Sequence, residues 1–225
     1  MDISTYLEYF GPTIITKFLQ HLKIVVISIP LSVLISVPIG FAIANRPRVA
    51  KVVIYISSVL MTIPSLALFG IMVVVLAPMH LGLGIVPAVL AIMIYSLLPI
   101  IRNTVTSLNQ VSPRMIEAAR GIGLTKAQIL FRIKLPLSIP VIMAGIRNAI
   151  VLGVSVATYA SLVGAGGLGY FIFSGIGRAN FMMVLSGALV VSVLGIGINY
   201  LLIYAEDLVT PRGLKINRGT SEDRH

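Results

Sequence analysis

The chain has no cysteine and no tryptophan, only three histidines, and seven acidic residues against seventeen basic ones. Without cysteine there is no disulfide framework and no thiolate metal site. His21, His80 and His225 are too scattered along the chain to suggest a metal cluster. Without tryptophan, any aromatic face offered to a cation has to come from Tyr or Phe. Charged residues make up 11% of the chain, where a soluble domain carries about a quarter. There is no GxxxxGK phosphate loop and no nucleophile elbow, and no carboxylate pair lies within the long apolar runs, whose central portions lack Asp and Glu. The chain therefore shows no catalytic machinery of its own and no membrane-embedded acid for ion coupling.

What is present is apolar. Hydrophobic residues make up 57% of the chain and the mean hydropathy is +1.03, the composition of a membrane protein. The net charge of +10 would suit nucleic acid, but the basic residues sit between apolar runs of spanning length, so membrane lipid headgroups account for them and nucleic acid is not expected as a partner. A span needs about 20 apolar residues to cross about 30 Å of hydrocarbon. Five runs qualify, at 24–44, 52–77, 85–101, 139–163 and 183–204, which predicts an all-α membrane protein with five transmembrane helices. Lys and Arg concentrate in one set of loops, at Arg46, Arg48 and Lys51, at Arg102, Arg114, Arg120, Lys126, Arg132 and Lys134, and at Arg212, Lys215, Arg218 and Arg224. The opposite set has Lys17, Lys23 and Arg178. Positive charge prefers the cytoplasmic side, so the N-terminus is expected outside and the C-terminus inside. The first twenty residues contain Asp2 and Glu8 and no basic n-region, so no removable signal peptide is predicted. The expected organisation is an external segment at 1–20, a membrane domain at 21–206 and a short charged cytoplasmic tail at 207–225.

The largest polar island, residues 112–136, reads as a helical hairpin. Ser112 can cap a helix with Pro113 in its first turn, and Gly121 and Gly123 end that helix. Thr125 with Gln128 forms a capping-box pattern for a second helix, which Pro136 is expected to stop. The hairpin carries Glu117-Ala118-Ala119, Gly123 and Leu124, then Ile133, Leu135 and Pro136. This pattern resembles the EAA motif of ABC importer permeases of the binding-protein-dependent type: Glu-Ala-Ala, three residues, Gly, nine residues, Ile, one residue, Leu-Pro. Every position matches, and the match lies between the third and fourth of five spans. The resemblance extends over roughly residues 20–208. It implies a bacterial inner-membrane permease, an ABC ATPase subunit that carries ATP and Mg and docks on the hairpin, a second permease, identical or sister, and an extracytoplasmic substrate-binding protein. No cofactor is expected on this chain itself.

Residues 164–169, Gly-Ala-Gly-Gly-Leu-Gly, formally fit the G-x-G-x-x-G dinucleotide fingerprint, but they follow a span rather than a buried strand and no acid stands about 20 positions on. A tight, close-packed turn is expected instead, with a short re-entrant or interfacial helix through Phe173. The segment 161–169 is similar to the one that follows the fourth core span in permeases for methionine and for osmoprotectants such as glycine betaine, carnitine and choline. Within the runs, Thr62, Pro64, Ser65, Tyr95, Arg147, Asn148, Ser155, Thr158 and Tyr159 are candidates to line a path, while isolated Ser and Thr more often bond to their own helix. For Arg147 two readings stand side by side, a cavity at membrane depth or snorkelling to headgroups. Pro64-Ser65 suits a gate, since a kink frees a carbonyl beside a hydroxyl.

The resemblance implies a membrane permease subunit of an ATP-driven importer for osmoprotectants, with methionine or another small solute as the alternative. A self-sufficient channel or secondary carrier is the competing class. It predicts inverted repeats or a coupling acid in the membrane, and the sequence carries no convincing sign of either.

Overall fold

The computed structural model describes residues 3–209. Among them there are helices and turns but no strand. α1 (Ile3–Ala44) runs through residue 20 without a break, so its helix continues well beyond the first apolar run. At 1.5 Å per residue, the 41 residues of Ser4–Ala44 extend about 60 Å, twice the hydrocarbon thickness. Pro12, Pro30 and Pro38 lie inside this helix, which neighbouring helices make tolerable.

The second expected span is not one helix. α2 (Pro47–Thr62) and α3 (Ser65–Leu76) are bent by 99° across Ile63-Pro64. Proline removes a donor and forces the residue before it out of the helical region. Ile63 is accordingly extended, at φ −63° and ψ 126°. Hydropathy could not register this, because both halves are apolar. Among the described residues there are thus four helices long and apolar enough to cross a membrane, and five spans when the bent pair counts as one.

α4 (Ile85–Gln110) is the central strut and runs well past residue 101, so Arg102 lies within a helix rather than in a loop. Its buried side chains include Ala88, Ala91, Ile92, Ser96, Ile100 and Thr104. α1 and α7 (Leu135–Val156) flank it and approach closely because they present glycine. A Cβ on Gly40 of α1 would come within 2.6 Å of Thr104. A Cβ on Gly145 of α7 would come within 2.7 Å of the Pro99 carbonyl oxygen.

At one end of the bundle lies the hairpin, α5 (Pro113–Gly121) and α6 (Lys126–Ile129). At the other end a 3₁₀ segment (Ala157–Val163) leads into the glycine-rich turn, then α8 (Gly169–Gly177) and α9 (Phe181–Val209). Gly164, Gly166 and Gly167 all have positive φ, and a Cβ on Gly169 would stand 1.8 Å from the Thr158 carbonyl oxygen. This is a tight packed turn followed by a short helix, as expected. It is fastened to α1: Gln20 Oε1 accepts from the Gly167 amide at 3.2 Å, and the buried His21 Nε2 lies 3.1 Å from the Val154 carbonyl. Nearby, Tyr6, Phe171 and Met183 form a small core, and the Tyr6 and Ser186 hydroxyls are 2.8 Å apart.

The α4–α7 approach generates a prediction. Gly145→Val should lower the unfolding midpoint of the detergent-solubilised protein by about 5 °C through overpacking. Gly177→Ala, where an added Cβ meets nothing within 4 Å, should leave it within about 1 °C.

Candidate functional site

The hairpin is built by local rules. Pro113 occupies the first turn of α5, while Ser112 contributes its carbonyl, which accepts from Met115 and Ile116, rather than a side-chain cap. The C-terminus closes as a Schellman motif: Gly123 N–H donates to Arg120 O at 2.9 Å and Leu124 N–H to Ala119 O at 3.1 Å, with Gly123 at φ +84°. The capping box of α6 is present in both directions, Thr125 N–H to Gln128 Oε1 at 2.8 Å and Gln128 N–H to Thr125 Oγ1 at 3.3 Å.

Pro136 does not stop the second helix. α6 passes through a π-helical segment (Leu130–Lys134) into α7, with the Leu135 amide reaching back to the Leu130 carbonyl. The wider turn brings Pro136 into the first turn of α7, where its missing N–H does least damage. The hairpin's second arm is therefore the base of a membrane helix.

Glu117 and Ala118 are exposed, whereas Ala119 is buried. Leu124, Ile133, Leu135 and Pro136 are half-buried. Three apolar side chains of the hairpin face outward, Met115, Phe131 and, at the tip, Ile122, which is 79% exposed. Their pattern was missed in the sequence. An isoleucine between two glycines in a polar island is the signal that was available.

The path candidates separate into groups. Thr62 and Thr158 bond to carbonyls of their own turn, Val59 and Ser155. The carbonyl freed at the bend, that of Ile63, accepts from the hydroxyl of the buried Tyr95, which joins Pro64 and Tyr95 in one feature, with Ser65 beginning α3 beside it. Tyr159 packs between Phe69 and Phe173, ring centroids 6.1 and 5.6 Å away.

Arg147 and Asn148 border a groove of about 840 Å³ between α4, α7 and α9, together with Arg102, Asn103 and Asn199. Arg147 forms an ion pair with the buried Glu206 at 3.5 Å. The partner is on α9, so snorkelling is not needed to explain Arg147. A second groove of about 540 Å³ shares Val151 and Asn199 with the first and continues it past Ser155 and Ser192. Residues 148, 151 and 155 of α7, and 192, 195, 196 and 199 of α9, fall at helical spacing along this seam. Among the described residues no group of His, Asp and Glu could hold a metal ion.

A bundle of apolar helices with a rigid polar hairpin at one end and an open polar seam along its membrane helices is a transport component rather than an enzyme. The chain belongs to the family described as the binding-protein-dependent transport system inner membrane component, whose model matches residues 36–213. It is thus the multi-pass membrane permease subunit of an ABC importer, a machine that also comprises an ATPase and a substrate-binding protein; the ATPase is a separate subunit. The chain is 40% identical over 215 residues to the osmoprotectant import permease protein OsmW of Salmonella typhimurium, covering 96% of this chain and 100% of that protein. It is 38% identical over 220 residues to the carnitine transport permease protein OpuCB of Listeria monocytogenes, covering 98% and 99%. The choline transport system permease protein OpuBB of Bacillus subtilis is 38% identical over 213 residues, covering 95% and 96%. Among solved structures, an inward-facing MetNI methionine ABC transporter superposes with a TM-score of 0.78 over 91% of this chain and 99% of that one, at 21% identity, a likeness of fold.

The ion pair can be tested by a double-mutant cycle. Arg147→Met removes a cation that pairs with a buried carboxylate and should cost about 2 kcal/mol of stability. Adding Glu206→Gln should recover at least half of that loss, giving a coupling of about 1 kcal/mol in detergent unfolding.

Proposed function

We propose that this chain is the permease of an ATP-driven importer of osmoprotectants such as glycine betaine, carnitine or choline. The observation that carries this reading is the 38–40% identity over nearly the full length of permeases named for osmoprotectants, carnitine and choline. The likeness to the methionine transporter, at 21% identity, speaks for fold and not for solute.

The hairpin lies in the cytoplasm and docks on the ATPase, which binds ATP and Mg. Glu117 offers its carboxylate to donors in the ATPase groove, Ala118 permits close seating, and Ile122 supplies an apolar tip. Ala119, Leu124, Ile133, Leu135 and Pro136 hold the hairpin's shape and its junction with α7, and Gly123 its turn. The excess of Lys and Arg at the hairpin end supports this orientation. Within the external segment 1–20, residues 3–20 extend α1 beyond the outer face, with residues 21–206 as the membrane domain. The cytoplasmic tail, 207–225, falls largely outside the described residues. A second permease closes the seam along α7 and α9, since exposed Asn and Ser side chains at membrane depth belong against protein or a water-filled path. Arg147, Asn148 and Ser155 line that path. Thr62, Pro64, Ser65, Tyr95, Thr158 and Tyr159 serve the bend and the packing around it.

Two measurements test this reading. Proteoliposomes containing the permease, its ATPase and its binding protein should accumulate radiolabelled glycine betaine on ATP addition, and accumulation of methionine alone would overturn the solute assignment. Glu117→Lys and Gly123→Val should each reduce uptake at least about tenfold and loosen co-purification of the ATPase, with the permease still in the membrane fraction. Unchanged transport in both variants would sink the docking role.

A further inference from the structure

The groove between α4, α7 and α9 has a chemistry of its own. It gathers two guanidinium groups, Arg102 and Arg147, and three carboxamides, Asn103, Asn148 and Asn199. Arg147 is offset by Glu206. Among the described residues, Arg102 forms no ion pair, and the side chains of the three asparagines form no hydrogen bond. These groups are not at a helix end. At 1.5 Å per residue, Arg102 stands about 12 Å inside the end of α4, Asn199 about 15 Å inside the end of α9, and Asn148 about 20 Å from the start of α7. Amide and guanidinium donors that face one groove with no protein partner offer themselves to an acceptor from elsewhere. The groove's net charge is positive and no aromatic ring borders it, so it lacks the face a bare organic cation needs.

From this we infer that the groove is a transit site for the carboxylate of a zwitterionic solute, and that it favours betaine-like and carnitine-like molecules over choline. Arg102 donates to the carboxylate, as guanidinium does with greatest strength to an ionised acceptor. Asn148 and Asn199 donate to its remaining lone pairs. Met61, Val151 and Leu152 on the same walls take the methylated end by apolar contact. Glu206 has a part in this without touching solute: by pairing with Arg147 it offsets that guanidinium and leaves Arg102 to meet the carboxylate. The inference rests on the osmoprotectant reading and narrows it.

The test uses the full complex in proteoliposomes, with binding protein saturated in turn by labelled glycine betaine and by labelled choline, and reads the ratio of the two initial uptake rates. Wild type should move betaine faster. Arg102→Gln should lower betaine uptake about tenfold and leave choline uptake unchanged or raised, Asn148→Leu should shift the ratio in the same direction, and Arg102→Lys should restore part of it. Yield of assembled complex on gel filtration checks that the variants fold. An equal loss for both solutes, or none for either, overturns the inference, as does wild type moving choline alone, and in those cases the permease reading stands. Wild type moving neither solute overturns the osmoprotectant reading and this one with it. If Arg102 instead serves lipid phosphate, the loss in Arg102→Gln will be the same for both solutes, and the inference fails.

Discussion

Inside a bilayer, water is not there to take up a backbone donor or acceptor, so every break in a helix must be repaired by the protein itself. The bend at Ile63-Pro64 is the place where this constraint is most visible. The carbonyl of the extended Ile63, turned out of the helix at the bend, is met by the hydroxyl of Tyr95, a buried residue of α4. For Tyr95 to reach it, α4 has to stand at the centre of the bundle, and it stands there because Gly40 and Gly145 let α1 and α7 close on it from two sides. Removing either approach would displace the strut on which the bent pair leans.

Polar side chains divide along the same line. Most serines and threonines of the spans bond to a carbonyl one turn back, as Ser28, Ser32, Ser96 and Thr104 do. They are satisfied by their own helix and need no neighbour. Asparagine and arginine cannot be satisfied so easily, and Arg102, Asn103, Arg147, Asn148 and Asn199 of α4, α7 and α9 converge on one seam. The seam therefore collects the groups that single helices cannot accommodate, with Arg147 and Glu206 tying α7 to α9 at its hairpin end.

The hairpin is joined to this seam by covalent structure. α6, the π-helical segment and α7 together with the following 3₁₀ turn form one apolar helical element over Lys126–Val163. The capping box is thereby continuous with the helix that carries Arg147, Asn148 and Ser155. The first arm, α5, packs chiefly on α6, which leaves Glu117, Ala118 and Ile122 outward. Stiffness comes from the Schellman closure at Gly123 and the reciprocal Thr125 and Gln128 bonds, both of which are local.

Much of this was legible without coordinates, because it depends on local chemistry. Apolar length marks the spans, the spacing from Glu117 to Pro136 marks the hairpin and the family, and Gly123, Thr125 and Gln128 announce their own turn and cap. The run at 52–77 carried an expected kink at Pro64 but not its size, since hydropathy counts apolar residues and does not see that the chain turns there by 99°. Pro136 misled: proline ends an isolated helix, but one π turn places it where no donor is required. The pairing of Arg147 with Glu206, the tie between Tyr95 and Ile63, and the convergence of Arg102, Asn103, Asn148 and Asn199 lay beyond the sequence altogether. Each joins residues on different helices, and the rotation of one helix against another is decided by how side chains and glycines interlock across the bundle. The chain by itself determined what kind of machine part this is; tertiary packing alone decided which polar groups face one another, because hydrogen bonds and charge pairs between helices act over a few ångströms and sequence separation carries no such distance.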